Sequence, residues 1–161
     1  MSDLHDLRTR LRAAHERIVA VPQTGPGVYG APDPKTGERW NAGNVLGHAA
    51  EMLPFWVDQV RGVLAGRTEI GRGVEGYERR QQGIETGATL SEEELRTRVE
   101  AGVSLAAILL DEMSPADLER RVVYRRRDGE EEASVGQLVD QLIVGHLEEH
   151  AEQLAELTVG A

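Results

Sequence analysis

Apolar residues recur at helical spacing in four stretches of this chain, with polar residues between them. In the first stretch Leu4, Leu7 and Leu11 are separated by three and four residues, which places them on one face of a helix. Residues suited to N-capping precede the stretches, and Ser91 and Ser134 are followed three residues later by Glu or Gln, as in a capping box. The pattern predicts helices over residues 3–20, 40–65, 91–113 and 134–158.

The segments between these helices differ in character. Residues 22–39 are rich in proline and glycine and predict an ordered loop. Residues 66–89 are polar and glycine-rich, too long for a tight turn, and suit a crossover in which residues 75–82 are helical. Alternation around Asp128-Gly129 predicts a small hairpin or an extended excursion. We therefore expect an all-α fold, a four-helix bundle with long crossover connections, as a single domain over residues 1–161.

Composition narrows the class of partner. The chain has 161 residues, a net charge of −10 and no cysteine. An acidic protein repels nucleic-acid phosphates and anionic membranes, and the absence of cysteine excludes thiolate ligands and cysteine nucleophiles. The N-terminal residues carry charges at once and do not resemble a signal peptide or an anchor. We expect a soluble cytoplasmic protein that acts on a small molecule.

Histidines occupy positions on two helices where core residues are expected. His146 and His150 are four residues apart on the apolar stripe of the last helix, so their side chains stack on one face about 6 Å apart. His48 lies on the inward face of the second helix, between Val45 and Met52. Each could be an ordinary interior histidine with one hydrogen bond. The alternative, which we favour, is that these three histidines bind one divalent metal ion, zinc or nickel, with a coordination position left open.

Two other metal sites fit parts of this pattern. The sequence HLEEH at residues 146–150 matches an inverted zinc-protease motif in which Glu149 is the general base. A two-metal site would pair His48 with Glu51 and His146 with Glu149, but it also needs inward glutamates on the other two helices. The available residues, Glu16 and Glu100, fall beside the apolar stripes. The sequence thus favours a single ion, with Glu51 and Glu149 as candidate catalytic residues among glutamates that are otherwise expected to be solvated.

Two segments resemble a known family. WNAGNVLGHAAEM at residues 40–52 and SVGQLVDQLIVGHLEEHAEQLAEL at residues 134–157 resemble the signature helices of the DinB-like metal-binding superfamily, which includes thiol-dependent isomerases and thiol transferases. The resemblance implies a four-helix bundle with two long connections, metal binding at His48, His146 and His150, and homodimers.

Three functions remain open from the sequence. In the first, a metal-dependent S-transferase uses a low-molecular-weight thiol such as mycothiol or bacillithiol, which must be external because the chain lacks cysteine. Arg72, Arg79 and the arginines within residues 120–127 are candidates for holding thiol carboxylates. In the second, the open position holds water for a hydrolase of small molecules. In the third, the metal stabilises a non-catalytic binding or stress-related module.

Overall fold

The structure, a computed structural model, describes residues 2–159 and the side chains of residues 2–158. It is mostly helical and contains one small sheet. The helices are α1 (Leu4–Ala20), α2 (Ala42–Leu64), α3 (Gly73–Thr86), α4 (Glu92–Glu112), α5 (Pro115–Leu118), α6 (Val135–Val139) and α7 (Gly145–Val159), with a π-helical turn (Asp140–Val144) between α6 and α7; the strands are β1 (Glu69–Gly71), β2 (Arg121–Arg126) and β3 (Gly129–Ser134).

The long helices begin where the capping residues predict. Asp3 caps α1 by accepting a hydrogen bond from the backbone of Asp6, and Ser91 caps α4 in the same way. Reciprocal capping boxes start α2 at Asn41 and α6 at Ser134, so these side chains satisfy backbone N–H groups that have no partner within the helix.

One apolar core joins the long helices. Helix α1 packs against α4 and α7, and α2 packs against α4, α7 and α3. The stripe predicted for α1 is buried throughout, and α2 contributes Leu46, Met52 and Leu53, which are also fully buried. None of the helices in the described part of the chain combines the length and the apolar character needed to cross a bilayer.

The all-α prediction is wrong in one respect, because residues 69–71 and 121–134 form a three-stranded sheet. Strands β2 and β3 are the antiparallel hairpin predicted around Asp128-Gly129, and Gly129 has a φ of 155°, which favours glycine. Strand β1 lies parallel to β2. It was not predicted because its three residues include a single buried apolar side chain, Ile70, which gives no alternation to recognise.

The last predicted helix is interrupted. Residues 140–144 form a π-helical turn, in which the N–H of Gly145 donates to the carbonyl of Asp140. A Cβ on Gly145 would lie 2.8 Å from that carbonyl oxygen, so this turn requires glycine. A π-helical turn contains one residue more than an α-helical turn, so α7 is rotated relative to α6. His146 lies at the start of α7, directly after this turn.

Helix α3 is longer than the predicted 75–82 segment and packs very closely on α2. Four glycines form the contact, Gly43 and Gly47 on α2 facing Gly83 and Gly87 at the end of α3, with backbone against backbone. A Cβ on Gly47 would lie 2.9 Å from Cα of Gly87. Gly83 and Gly87, which fall in the predicted crossover, therefore form a helix interface with Gly43 and with Gly47, the residue before His48.

Candidate metal centre

The structure brings the three predicted ligands together. His48 comes from α2, and His146 and His150 come from α7. Each offers one ring nitrogen, and these nitrogens lie within 4.8 Å of one another. The ring centroids are 5.0 Å apart for His48 with either partner and 4.6 Å apart for His146 and His150. This group could hold a metal ion, with all three protein ligands coming from two helices.

Burial keeps the three imidazoles neutral, which is the state that binds metals. Removal from water lowers the pKa of His146 to about 3 and that of His150 to about 4. The pKa of His48 is lowered further, first by burial and then by the nearby His150 and His146. All three rings therefore present lone pairs at neutral pH.

The hydrogen bond made by His150 leaves its other ring nitrogen without a partner among the described residues. Nδ1 of His150 lies 2.7 Å from Oε1 of Gln153, an acceptor, so Nδ1 carries the proton and Nε2 carries the lone pair. That Nε2 is buried and has no hydrogen-bond partner among the described residues. Buried polar atoms without partners are costly, and a bound cation would satisfy the ring nitrogens directed at it. The residues therefore fit a divalent metal ion.

Glu51 lies behind His48 and is not solvated, contrary to the expectation from its position on the helix. Its side chain is 10% exposed, and its two oxygens accept hydrogen bonds of 2.6 and 2.9 Å from Arg72. Arg72 is buried and lies over the ring of Phe55, 4.3 Å from the ring centroid. Oε2 of Glu51 is 3.9 Å from Nδ1 of His48. Arg72 thus holds a carboxylate beside Nδ1 of His48, which is buried and has no hydrogen-bond partner among the described residues.

A cavity of about 590 Å³ opens onto the histidines and is called here the metal cavity. Its walls come from α2, α3, α7 and the loop before α2. Trp40 stands at one side, with its ring stacked on that of His150 at 6.5 Å between centroids. Glu149 lines the rim, where partial burial, assisted by the charge of Glu152, raises its pKa. The volume is ample for a small organic ligand.

The predicted catalytic glutamates occupy different places. Glu149 lines the metal cavity, whereas Glu51 lines neither of the two cavities described here and faces His48 from behind. Glu16 and Glu100, the glutamates considered for a two-metal site, are exposed.

Three residues of the site were not recognised from the sequence. Gln153 follows His150 by three residues, so helical spacing could have identified it as the orienting partner. Trp40 lies just before α2, and its contact with His150 on α7 depends on how these two segments pack. Arg80 lies in a segment whose helix was only partly predicted, and no local pattern indicates that it lines the metal cavity.

Comparison with known proteins identifies the family. The model of the DinB superfamily matches residues 3–154, and the chain belongs to this superfamily. The crystal structure of the mycothiol-dependent maleylpyruvate isomerase has a similar fold, with a TM-score of 0.71 at 16% identity. The match covers 95% of this chain and 61% of the isomerase chain, so the chain spans less than two thirds of that enzyme. No match was found among curated proteins.

Proposed function

We propose that His48, His146 and His150 bind one divalent ion, zinc or nickel, in a metal-dependent thiol S-transferase. The observation that carries the proposal is the convergence of three neutral imidazoles at the base of a cavity of about 590 Å³. Three protein ligands leave a tetrahedral ion with one position for an exogenous ligand, which is typical of catalytic rather than structural zinc sites. The proposal takes α1, α2, α4 and α7 as the predicted four-helix bundle.

A bound ion would act as a Lewis acid that lowers the pKa of a thiol or water in the open position. Neighbouring residues of the chain orient the histidine rings and exclude water from the site. Gln153 accepts a hydrogen bond from Nδ1–H of His150 and so selects the tautomer that presents Nε2. Glu51, held by Arg72, is placed to accept a hydrogen bond from Nδ1–H of His48 after a small movement, which would leave Nε2 of His48 as the ligand atom. Trp40 shields one side of the site from water.

An external thiol is the substrate in this proposal. The chain contains no cysteine, so it cannot supply a sulfur nucleophile itself. The isomerase of similar fold is named as mycothiol-dependent, which supports a low-molecular-weight thiol here. We also propose a cytoplasmic homodimer, for which light scattering of the purified protein is the direct measurement.

A hydrolase is the second candidate, and Glu149 is the observation that favours it. This glutamate lines the metal cavity beside His146 and His150, and its raised pKa brings it nearer to that of a general base. Thiol-independent cleavage of small esters or amides, lost in Glu149→Gln, would identify this activity. Inactivity in both assays, with a chelator lowering the melting temperature, would instead identify a non-catalytic metal-stabilised module.

Metal analysis tests the site itself. We expect purified protein loaded with zinc or nickel to retain about one ion per chain, and His150→Ala and His48→Ala to lose at least tenfold in affinity. His15→Ala is the matched control, because it removes an imidazole that lines neither cavity. Full metal content in both site variants after dialysis would refute the proposed centre.

The reaction is tested with an aryl chloride as the electrophile. The thiol loses its proton, sulfur forms a bond to the ring carbon, and chloride leaves. We expect conjugation above the uncatalysed rate only when metal and thiol are both present, and its loss in His150→Ala. Conjugation that persists in metal-free protein would contradict a metal-dependent transferase.

A further inference from the structure

A second cavity of about 1310 Å³ adjoins the metal cavity and is rich in arginine. We call it the cationic cleft, after the six arginines in its lining: Arg67, Arg72, Arg80, Arg125, Arg126 and Arg127. It shares Thr36, Glu38 and Arg80 with the metal cavity, so the two cavities adjoin at these residues. Such a concentration of cations is unexpected in a chain of net charge −10.

Three of the six arginines that line the cleft already have acidic partners. Arg72 is paired with Glu51, and Arg125 with Glu69 and Glu130. Arg126 lies 3.9 Å from Asp128 and 3.7 Å from Glu131, both at the outer limit of an ion pair. Glu38 and Glu78 also line the cleft and form no ion pair among the described residues.

Arg67, Arg80 and Arg127 have neither an ion pair nor a side-chain hydrogen bond within residues 2–158. Arg67 is exposed, whereas Arg80 and Arg127 each lie against an aromatic ring. The guanidinium of Arg127 is held over the ring of Tyr77, 4.0 Å from its centroid. That of Arg80 lies 5.9 Å from the centroid of Trp40, the residue stacked on His150. Aromatic faces orient both cations and leave their N–H donors available.

The surroundings of Arg80 are unfavourable for a cation in the absence of an anion. The residue is half-buried, and burial together with the charge of Arg72 lowers its pKa; Glu38 partly opposes this shift, and Arg127 adds to it. A guanidinium has five N–H donors in a planar fork that matches a carboxylate. A bound carboxylate would offset the repulsion between the arginines and would accept hydrogen bonds from the N–H donors of Arg80.

We infer that Arg80, with Arg127, binds the carboxylate of a small acidic molecule whose reactive end lies in the metal cavity. The contacts and burial of the arginines are sufficient to support a carboxylate-binding site. The placement of the molecule's reactive end in the metal cavity rests on the proposed function. The carboxylate can belong to the thiol or to its acceptor, and the chemistry of recognition is the same for both.

The binding test uses succinate and its neutral analogue succinamide, followed by calorimetry in zinc-loaded and in chelator-treated protein. We expect succinate to bind and succinamide to bind at least tenfold more weakly, with affinity falling as salt is raised. Arg80→Gln should reduce succinate affinity at least tenfold, and Arg80→Lys less. Arg98→Gln is the matched control, since it removes the same charge from an exposed position on α4 that lines neither cavity.

The outcomes separate the two proposals. Succinate binding that survives chelation and is lost in Arg80→Gln supports the carboxylate site even if His150→Ala retains its metal. Equal affinity of wild-type protein and Arg80→Gln, or of succinate and succinamide, would overturn it. Arg80→Gln should melt close to wild type, because the residue has no ion pair or hydrogen bond to lose among the described residues and lies 5.9 Å from the centroid of the Trp40 ring. A large loss of stability would show a structural role instead.

The source of the carboxylate is resolved with two thiols of equal length, 3-mercaptopropionate and 3-mercaptopropanol, in the conjugation assay. If the thiol supplies the carboxylate, we expect a lower KM for the acid, and Arg80→Gln should remove that preference with little change in kcat for the alcohol. If the acceptor supplies it, the two thiols should behave alike, and Arg80→Gln should instead raise the KM of a carboxylated aryl chloride.

Discussion

The glycine contact between α2 and α3 provides a sharp test of how this fold is held together. In Gly47→Ala the new Cβ would lie 2.9 Å from Cα and 3.0 Å from N of Gly87, and closer still to the carbonyl oxygen of Gly83. Ordinary contact begins at 3.4 Å, and all three neighbours are backbone atoms that no rotamer change can move. Helix α3 must therefore retreat by more than about 0.5 Å, and overpacking of this kind costs about 1–3 kcal/mol.

Alanine also improves helix propensity by about 1 kcal/mol, which partly hides the cost of the clash. Gly62→Ala corrects for this, because it makes the same substitution on the same helix. Its Cβ would meet the side chain of Arg67, at 2.8 Å from Cδ, and that side chain is flexible and exposed. We expect Gly47→Ala to be about 2 kcal/mol less stable than Gly62→Ala, which corresponds to a melting temperature roughly 4–8 °C lower.

Thermal unfolding of the two variants is the primary assay, and ligand binding is the second. Because α3 carries Arg80 but none of the histidines, Gly47→Ala should weaken succinate binding and leave metal content unchanged. A melting temperature for Gly47→Ala equal to or above that of Gly62→Ala would refute the close contact between the two helices.

Two further predictions concern charge. Folding lowers the pKa values of His146 and His150. Below the ordinary histidine pKa of about 6.5, the unfolded chain therefore binds more protons than the folded chain, which destabilises the folded state. The metal-free protein should lose about 1.4 kcal/mol of stability for each of these two histidines at pH 5.5 relative to neutral pH. Urea unfolding in chelator measures this loss, which must shrink when both are replaced by Gln. Arg72→Met should destabilise the protein by about 3–5 kcal/mol because it leaves the carboxylate of Glu51 buried without a partner, and adding Glu51→Gln should restore part of the loss; no recovery in urea unfolding would contradict this assignment.

The histidine cluster was predictable from local spacing, and the reason is geometric. The interval of His146 and His150 stacks two imidazoles on one helix face, and the apolar neighbours of His48 direct it inward. Helix starts were predictable for a similar reason, because a capping side chain acts within its own first turn. The interruption at residues 140–144 was not, since a π-helical turn depends on how the helix packs as well as on Gly145.

The sequence by itself determined the elements and the residues whose chemistry depends on neighbours within a turn: the long helices, the hairpin at Asp128-Gly129 and the inward face of each histidine. Only the tertiary structure decided which residues from distant segments of the chain contact one another. It placed Glu51 in a buried pair with Arg72, joined β1 to β2, and brought Arg80 to the edge of the metal cavity. These contacts join residues far apart in the chain, so their energies depend on packing and desolvation, which no local pattern of residues encodes.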